Sequence, residues 1–277
     1  METTSANDPN EANAETIDGA EALSAILMAD DVSGALWSAV DSGRIDTLVP
    51  ELPALRMEQD PIHRHKDVLS HTIAVVAKTP DDVIVRLAAL FHDIAKPRTR
   101  SFEHGGVTFR HHEVVGSRMT RKRMTSLGYD DAVVEEVTEL VRLSGRFKGY
   151  ADGWSDSAVR RYARDAGPLL GRLNALIRSD STTRNKQKAA DLQLSIDDLE
   201  RRIADLAEEE RRDAERPQID GQAVMAHLGT AGGRHIGDIL TMLLKVKRAE
   251  GELSDDELYA RIDSWWEERS GDYELRS

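Results

Sequence analysis

The chain of 277 residues contains no cysteine. That excludes disulfides, thiolate nucleophiles and cysteine-ligated zinc together, and it fits a reducing cytoplasm. Aromatic residues make up only 5% of the sequence, so platforms on which unpaired bases could stack are few. No apolar run approaches the roughly eighteen residues that a membrane span needs. The N-terminus, residues 1–19, lacks the basic start and apolar stretch of a secretory signal. It is acidic and rich in Ala, Asn, Glu and Thr, and is expected to be a disordered tail. The expected location is cytoplasmic, with no membrane partner.

Hydrophobic residues at 40% and charged residues at 31% describe a globular chain, long enough for a sizeable core. The net charge of −13 argues against a polyanionic partner until the charge is located. Residues 96–190 hold 19 Lys and Arg against 11 Asp and Glu, a net of +8, which leaves −21 for the flanks. A basic middle suits a polyanionic substrate. Ordinary solvated helix faces would give the same count, and charge alone leaves that reading open.

Helical spacing of apolar residues runs along nearly the whole chain, and the expected fold class is all-α. Residues 66–78 carry Val68, Leu69, Ile73 and Val76 on one face. Thr79-Pro80-Asp81-Asp82 reads as a helix start with a capping Thr and Pro at the first helical position. The helix it opens is expected to run over 83–95 and to be stopped by Pro97. Residues 101–110, with Gly105-Gly106, read as a loop, and no hairpin is expected. Helices follow over 112–127, capped by Gly128, and over 131–143. Residues 145–155 form a loop with three aromatics. Further helices are expected over 156–166, 169–178 and, with a long charged seam, about 185–215. A small helical unit closes the chain. Ser254-Asp255-Asp256-Glu257 is a capping box before the last helix, whose Trp265-Trp266 are expected to pack.

The pair His92-Asp93 stands inside the apolar run Ala88-Ala89-Leu90-Phe91-His92-Asp93-Ile94-Ala95. Asp is almost never buried unless its charge is compensated. A divalent cation compensates it, and imidazole and carboxylate are both ligands. His71, His112 and Asp180 are further candidate ligands on other segments, with His111 able to take the place of His112. Helical bundles build metal sites from side chains on facing helices in this way. Neighbouring helical residues diverge by about 100°, yet both can reach an ion lying between them. The mixed nitrogen and oxygen set suits Mn, Fe, Ni, Co or Zn, and Mg less well. A metal-bound water supplies a nucleophile, so no Ser or Cys is needed. His92 and Asp93 are thus candidate catalytic residues. Lys96, one turn on, is a third that could neutralise a phosphate. His63 and His65 are weaker ligand candidates, and His104, His227 and His235 read as surface or loop residues.

Longer motifs resemble one family. The segment His63-Arg64-His65-Lys66-Asp67-Val68-Leu69-Ser70-His71-Thr72 is similar to the start of the HD domain in actinobacterial CCA-adding tRNA nucleotidyltransferases. So are Arg86-Leu87-Ala88-Ala89-Leu90-Phe91-His92-Asp93-Ile94-Ala95-Lys96-Pro97 and His111-His112-Glu113-Val114-Val115-Gly116. The runs from Arg118 to Met124, from Asp156 to Tyr162 and from Asp180 to Lys186 resemble the same family in the same order, and Arg216-Pro217-Gln218-Ile219-Asp220-Gly221 resembles its C-terminal body. The resemblance covers about residues 20–270. It implies a disordered acidic tail at 1–19, a remnant of neck helices at 20–61, an HD phosphohydrolase domain at 62–185 and a helical tRNA-body domain at 186–277. No segment resembles the nucleotidyltransferase head, so this chain alone is not expected to add nucleotides, and a separately encoded head is a possible partner. Ala95 stands where the family usually has Gly.

The resemblance implies metal-dependent phosphohydrolase or phosphodiesterase chemistry on tRNA 3′ ends or nucleotides, with His71, His92, Asp93, His112 and Asp180 around the metal. Arg118, Arg121, Lys122, Arg123, Arg160, Arg161, Arg184 and Lys186 are the expected RNA contacts, meeting phosphates without reading sequence. The alternative is a non-catalytic tRNA-binding body with a structural metal. The apolar residues of the neck segment, including Leu23, Leu27, Leu36 and Val40, must either fold onto the HD helices or serve association.

Overall fold

A computed structural model describes residues 18–57, 67–103, 106–181, 185–214 and 216–274. Most of the expected tail, His63, His65, His104 and Arg184 lie outside them. The described helices are α1 (Gly19–Leu27), α2 (Val32–Asp41), α3 (Arg44–Leu48), α4 (Val68–Lys78), α5 (Val83–Phe91) and α6 (Lys96–Thr99). A strand pair follows, β1 (Ser101–Glu103) and β2 (Gly106–Thr108), then α7 (His112–Leu127), α8 (Asp131–Leu143), α9 (Asp156–Ala166), α10 (Leu170–Asp180) and α11 (Lys186–Ala214). The chain closes with α12 (Gly221–Leu228), α13 (Arg234–Glu250), α14 (Asp255–Arg269) and α15 (Gly271–Glu274). Among the described residues no helix is long and apolar enough to cross a membrane. The fold class is all-α.

The chain divides into two compact units, one ending at Glu200 and one beginning at Arg201, so the division falls inside α11. In the first unit α5 is the central helix. Val85, Leu87, Ala88, Ala89, Leu90 and Phe91 are all buried, as expected of a helix apolar on every side. It packs against α1, α4, α7, α8 and α10. The N-terminal helices α1 and α2 fold onto this bundle: Leu23, Leu27 and Leu36 are fully buried, and α2 packs on α4. In the second unit Val224, Ile236, Ile239, Leu243, Leu258 and Ile262 form a separate core, with Trp265 and Trp266 packed against it. The capping box at Ser254 and Glu257 opens α14 there.

Three local expectations need correction. Asp82, not Thr79, caps α5: its carboxylate accepts from the Ile84 and Val85 N–H groups at 2.8 and 3.2 Å. The Thr79 hydroxyl points back and donates to the Val76 carbonyl at 2.6 Å, closing α4. The helix expected over 83–95 stops at Phe91, residues 92–95 turn, and Pro97 sits in the first turn of α6 instead of ending a helix. Pro tolerates that place because no intrahelical N–H bond is required there. Residues 101–110 are not a plain loop: β1 and β2 pair antiparallel with Phe102 opposite Val107. Three-residue strands are too short to show a period-two pattern. His227 is exposed on α12, and His235 is half-buried on α13.

Candidate metal centre

Four segments of the first unit bring the expected ligands together. The N-cap Asp67 accepts from the Ser70 N–H at 2.8 Å and starts α4, one turn before His71. His92 closes α5, Asp93 opens the following turn, His112 begins α7, and Asp180 ends α10. His71, His92, Asp93, Lys96 and His112 are buried, whereas the Asp180 side chain is 48% exposed and forms the open side. His92 and Asp93 lie at the start of the turn after Phe91, and both are buried, with His92 Nε2 close to the Asp93 carboxylate.

One ligand atom each from His71, His92 and Asp180 lies within 4.8 Å of the others. His71 Nε2 is 3.0 Å from Asp180 Oδ1 and 3.6 Å from Asp93 Oδ2. His92 Nε2 is 3.2 Å from Asp93 Oδ2 and 3.5 Å from Asp180 Oδ1. His112 Nε2 approaches the other Asp93 oxygen at 3.5 Å. His111 is exposed, in a left-handed conformation with φ of 61°, so the turn into α7 presents His112 and not His111.

Backbone carbonyls fix two of the imidazoles. His92 Nδ1 donates to the Ala89 carbonyl and His112 Nδ1 to the Phe109 carbonyl, each at 2.7 Å. A carbonyl only accepts, so each Nδ1 carries the proton and each Nε2 is directed at the carboxylates. His92 Nε2 is buried and has no hydrogen-bond partner. Two carboxylates around a buried imidazole nitrogen require positive charge at that point. Burial pulls the His92 imidazolium down, but Asp93 and Asp180 outweigh it and raise its pKa from 6.5 to about 10. Burial works in the opposite sense on Asp93, where His92, His112 and Lys96 hold the carboxyl well below its ordinary range. Partial burial of Asp180 is likewise overcome by His71 and His92, which lower it. A divalent cation satisfies the same demand, and an orphaned nitrogen beside two carboxylates is the donor set such an ion takes.

Lys96 Nζ donates to Asp93 Oδ2 at 2.7 Å and lies 5.5 Å from the centre of the Phe109 ring. It is buried, and its first role is therefore to hold Asp93.

Residues 67–249 match the HD-domain family. The chain belongs to that family. It is 30% identical to the A-adding tRNA nucleotidyltransferase of Deinococcus radiodurans over 260 residues, 90% of this chain and 58% of that protein. It is also 30% identical to the CC-adding tRNA nucleotidyltransferase of Thermus thermophilus over 250 residues, 86% of this chain and 54% of that protein. The chain thus spans about half the length of the curated relatives it matches.

The cations expected to meet RNA are placed differently from one another. Arg118 and Lys122 are exposed on α7. Arg123 makes a two-pronged pair with Glu51, at 2.8 and 3.0 Å, and so ties α7 to the N-terminal segment. Arg121 lies 3.5 Å from Glu135 at the surface. Arg161 lines a cavity beside α9, Arg160 is half-buried on the same helix, and Lys186 is exposed at the start of α11.

Glu113 is a contributor that sequence reasoning missed. Its carboxylate lies 3.5 Å from His112 Nδ1 and accepts from Lys148 Nζ at 3.0 Å. A Cβ on Gly145 would stand 2.2 Å from Glu113 Oε1, so the glycine makes the room this carboxylate occupies. The signal was its place directly after His112, in the first turn of a helix where an acid is favoured for ordinary reasons.

Proposed function

We propose that this chain is a metal-dependent phosphohydrolase of the HD type that acts on phosphate esters at RNA 3′ ends, tRNA first among them, or on nucleotides. The observation that carries this reading is the convergence of one ligand atom each from His71, His92 and Asp180 within 4.8 Å of one another, with the Asp93 carboxylate beside them. His71, His92, Asp93 and Asp180 would hold the ion, with His112 on the far oxygen of Asp93. When bound, such an ion polarises a phosphoryl oxygen and lowers the pKa of its water towards 7.

The protein's own groups supply the rest. The Ala89 and Phe109 carbonyls keep two imidazoles in the tautomer that presents Nε2. Lys96 balances and orients Asp93, and Asp180 lies on the accessible side where a phosphate would approach. The preference for RNA is supported by the net charge of +8 over residues 96–190 and by similarity to two enzymes named for acting on tRNA.

The test is hydrolysis of 2′,3′-cyclic AMP by the purified chain with Mn, Ni, Co or Mg, with a chelator control. His92→Ala and Asp93→Ala are expected to lower turnover more than ~100-fold, since outer-shell changes alone cost roughly 10–100-fold in metalloenzymes. Equal turnover in wild type and both variants would contradict the assignment. Salt-sensitive tRNA binding without turnover on any metal would favour a tRNA-binding body with a structural ion.

A further inference from the structure

Aromatic residues are scarce, four Trp, five Tyr and four Phe, yet four of them gather in one cluster. Trp154 lies 5.3 Å from Tyr150 and 5.6 Å from Tyr162 between ring centres, and Phe147 stacks on Tyr150 at 5.3 Å. Trp154 and Tyr162 border a cavity of about 270 Å³ between the end of α8, the segment after it, α9 and α10. Arg146, Lys148 and Arg161 line the same cavity. Arg146 is held by Asp165 at 2.7 Å and Lys148 by Glu113 at 3.0 Å. Arg161 has no carboxylate partner among the described residues and is exposed.

This cavity combines the aromatic rings of Trp154 and Tyr162, tilted 55° to each other, with a cation free to meet an anion. Tyr162 is fixed in place, its hydroxyl donating to Asn174 Oδ1 at 2.7 Å. The volume falls just under the ~300–1,000 Å³ usual for small-molecule sites, which suits one base with its phosphate and no more. Every base offers a face for stacking, so such a wall takes nucleotides with little regard to sequence. Arg is the residue suited to holding a phosphate in a forked contact. Glu113 links the cavity to the candidate centre, since it touches Lys148 on the cavity wall and His112.

We propose that this cavity is a subsite for one nucleoside phosphate, with the base against Trp154 and the phosphate at Arg161. The nucleotide has two possible sources, a free mononucleotide or the last nucleotide of an RNA strand. The subsite is separate from the metal ligands, so it stands or falls independently of hydrolysis.

The experiment is calorimetric titration of the full chain, in chelator, with AMP, adenosine, inorganic phosphate and a tetranucleotide RNA ending in adenosine. AMP is expected to bind. Trp154→Leu is expected to weaken AMP and adenosine about tenfold alike, in line with the loss of one stacked base. Arg161→Gln is expected to weaken AMP about tenfold and adenosine less than twofold. Circular dichroism and melting temperature identify any variant that fails to fold, and Trp154→Phe then replaces Trp154→Leu, with binding retained. Tighter binding of the tetranucleotide than of AMP identifies the RNA end as the source, and equal affinity identifies the free nucleotide. No binding of AMP or RNA by the folded wild type, or binding that neither substitution weakens, would overturn the proposal. Because chelator removes the metal, an inactive metal centre leaves this readout unchanged.

Discussion

At the scale of single residues, the burial of His92 and Asp93 follows from their apolar surroundings in the sequence. The partner atoms do not, because they come from α4, α7 and α10 and only the fold brings them together. Asp180 is a weaker signal than the His92-Asp93 pair, because its surroundings in the sequence are not apolar. In itself it is one acid at a helix end among the chain's 50 acidic residues. A second acid is informative for stability. Asp82 caps α5 and also accepts from Arg172 Nε at 2.9 Å. Burial raises its pKa, but the Arg172 contact and the two backbone N–H groups prevail and lower it below 3.8. Its carboxylate therefore stabilises the fold fully above the unfolded pKa, and that contribution fades as pH falls through the lower folded value. Asp82→Ala is expected to cost about 1–2 kcal/mol at neutral pH, as for other lost N-caps. Denaturant midpoints should show the gap from wild type narrowing below about pH 4. A gap that is constant with pH would mean that the cap and ion pair are not what Asp82 contributes.

At the scale of elements, periodicity located α4, α7, α8, α9, α11 and α14 well, since each has a buried stripe and most have a recognisable cap. It failed where local chemistry was decided by direction. Thr79 and Asp82 can both cap, and the chain uses one to close α4 and the other to open α5. The helix expected through Ala95 gives way to a turn at His92 and Asp93, the two buried candidate ligands. Gly128 ends α7 with φ of +87°, a conformation that glycine adopts without strain, as its position predicted. The N-terminal helices carry the clearest test. Leu36 on α2 is fully buried, packed in the unit that contains α4 and α5. Leu36→Ala is expected to destabilise this unit by roughly 2–5 kcal/mol, read as a shift of its denaturant midpoint. A change under about 0.5 kcal/mol, the range of ordinary surface substitutions, would show that α1 and α2 are not part of the core.

At the scale of the whole molecule, composition was informative about class and silent about geometry. The all-α fold and the basic middle were both legible. That Arg123 is bound to Glu51 while Arg118 and Lys122 stay exposed was not, because net charge does not say which cations are already paired. The account predicts tRNA binding that weakens about tenfold or more between 50 and 200 mM salt, as counterion release at several phosphates requires. Arg118→Glu with Lys122→Glu is expected to lower both the affinity and the salt slope, measured by filter binding. Affinity independent of salt would remove the basic segment from the interface.

The central claim is that His71, His92, Asp93 and Asp180 hold a divalent cation. Its most direct test is equilibrium binding of Mn²⁺ to the purified full chain, beside His92→Ala and Asp180→Ala with their folds verified by circular dichroism. The account predicts saturable binding in the wild type and a loss of more than ~100-fold in affinity in each variant. Wild-type affinity retained in both variants would contradict it.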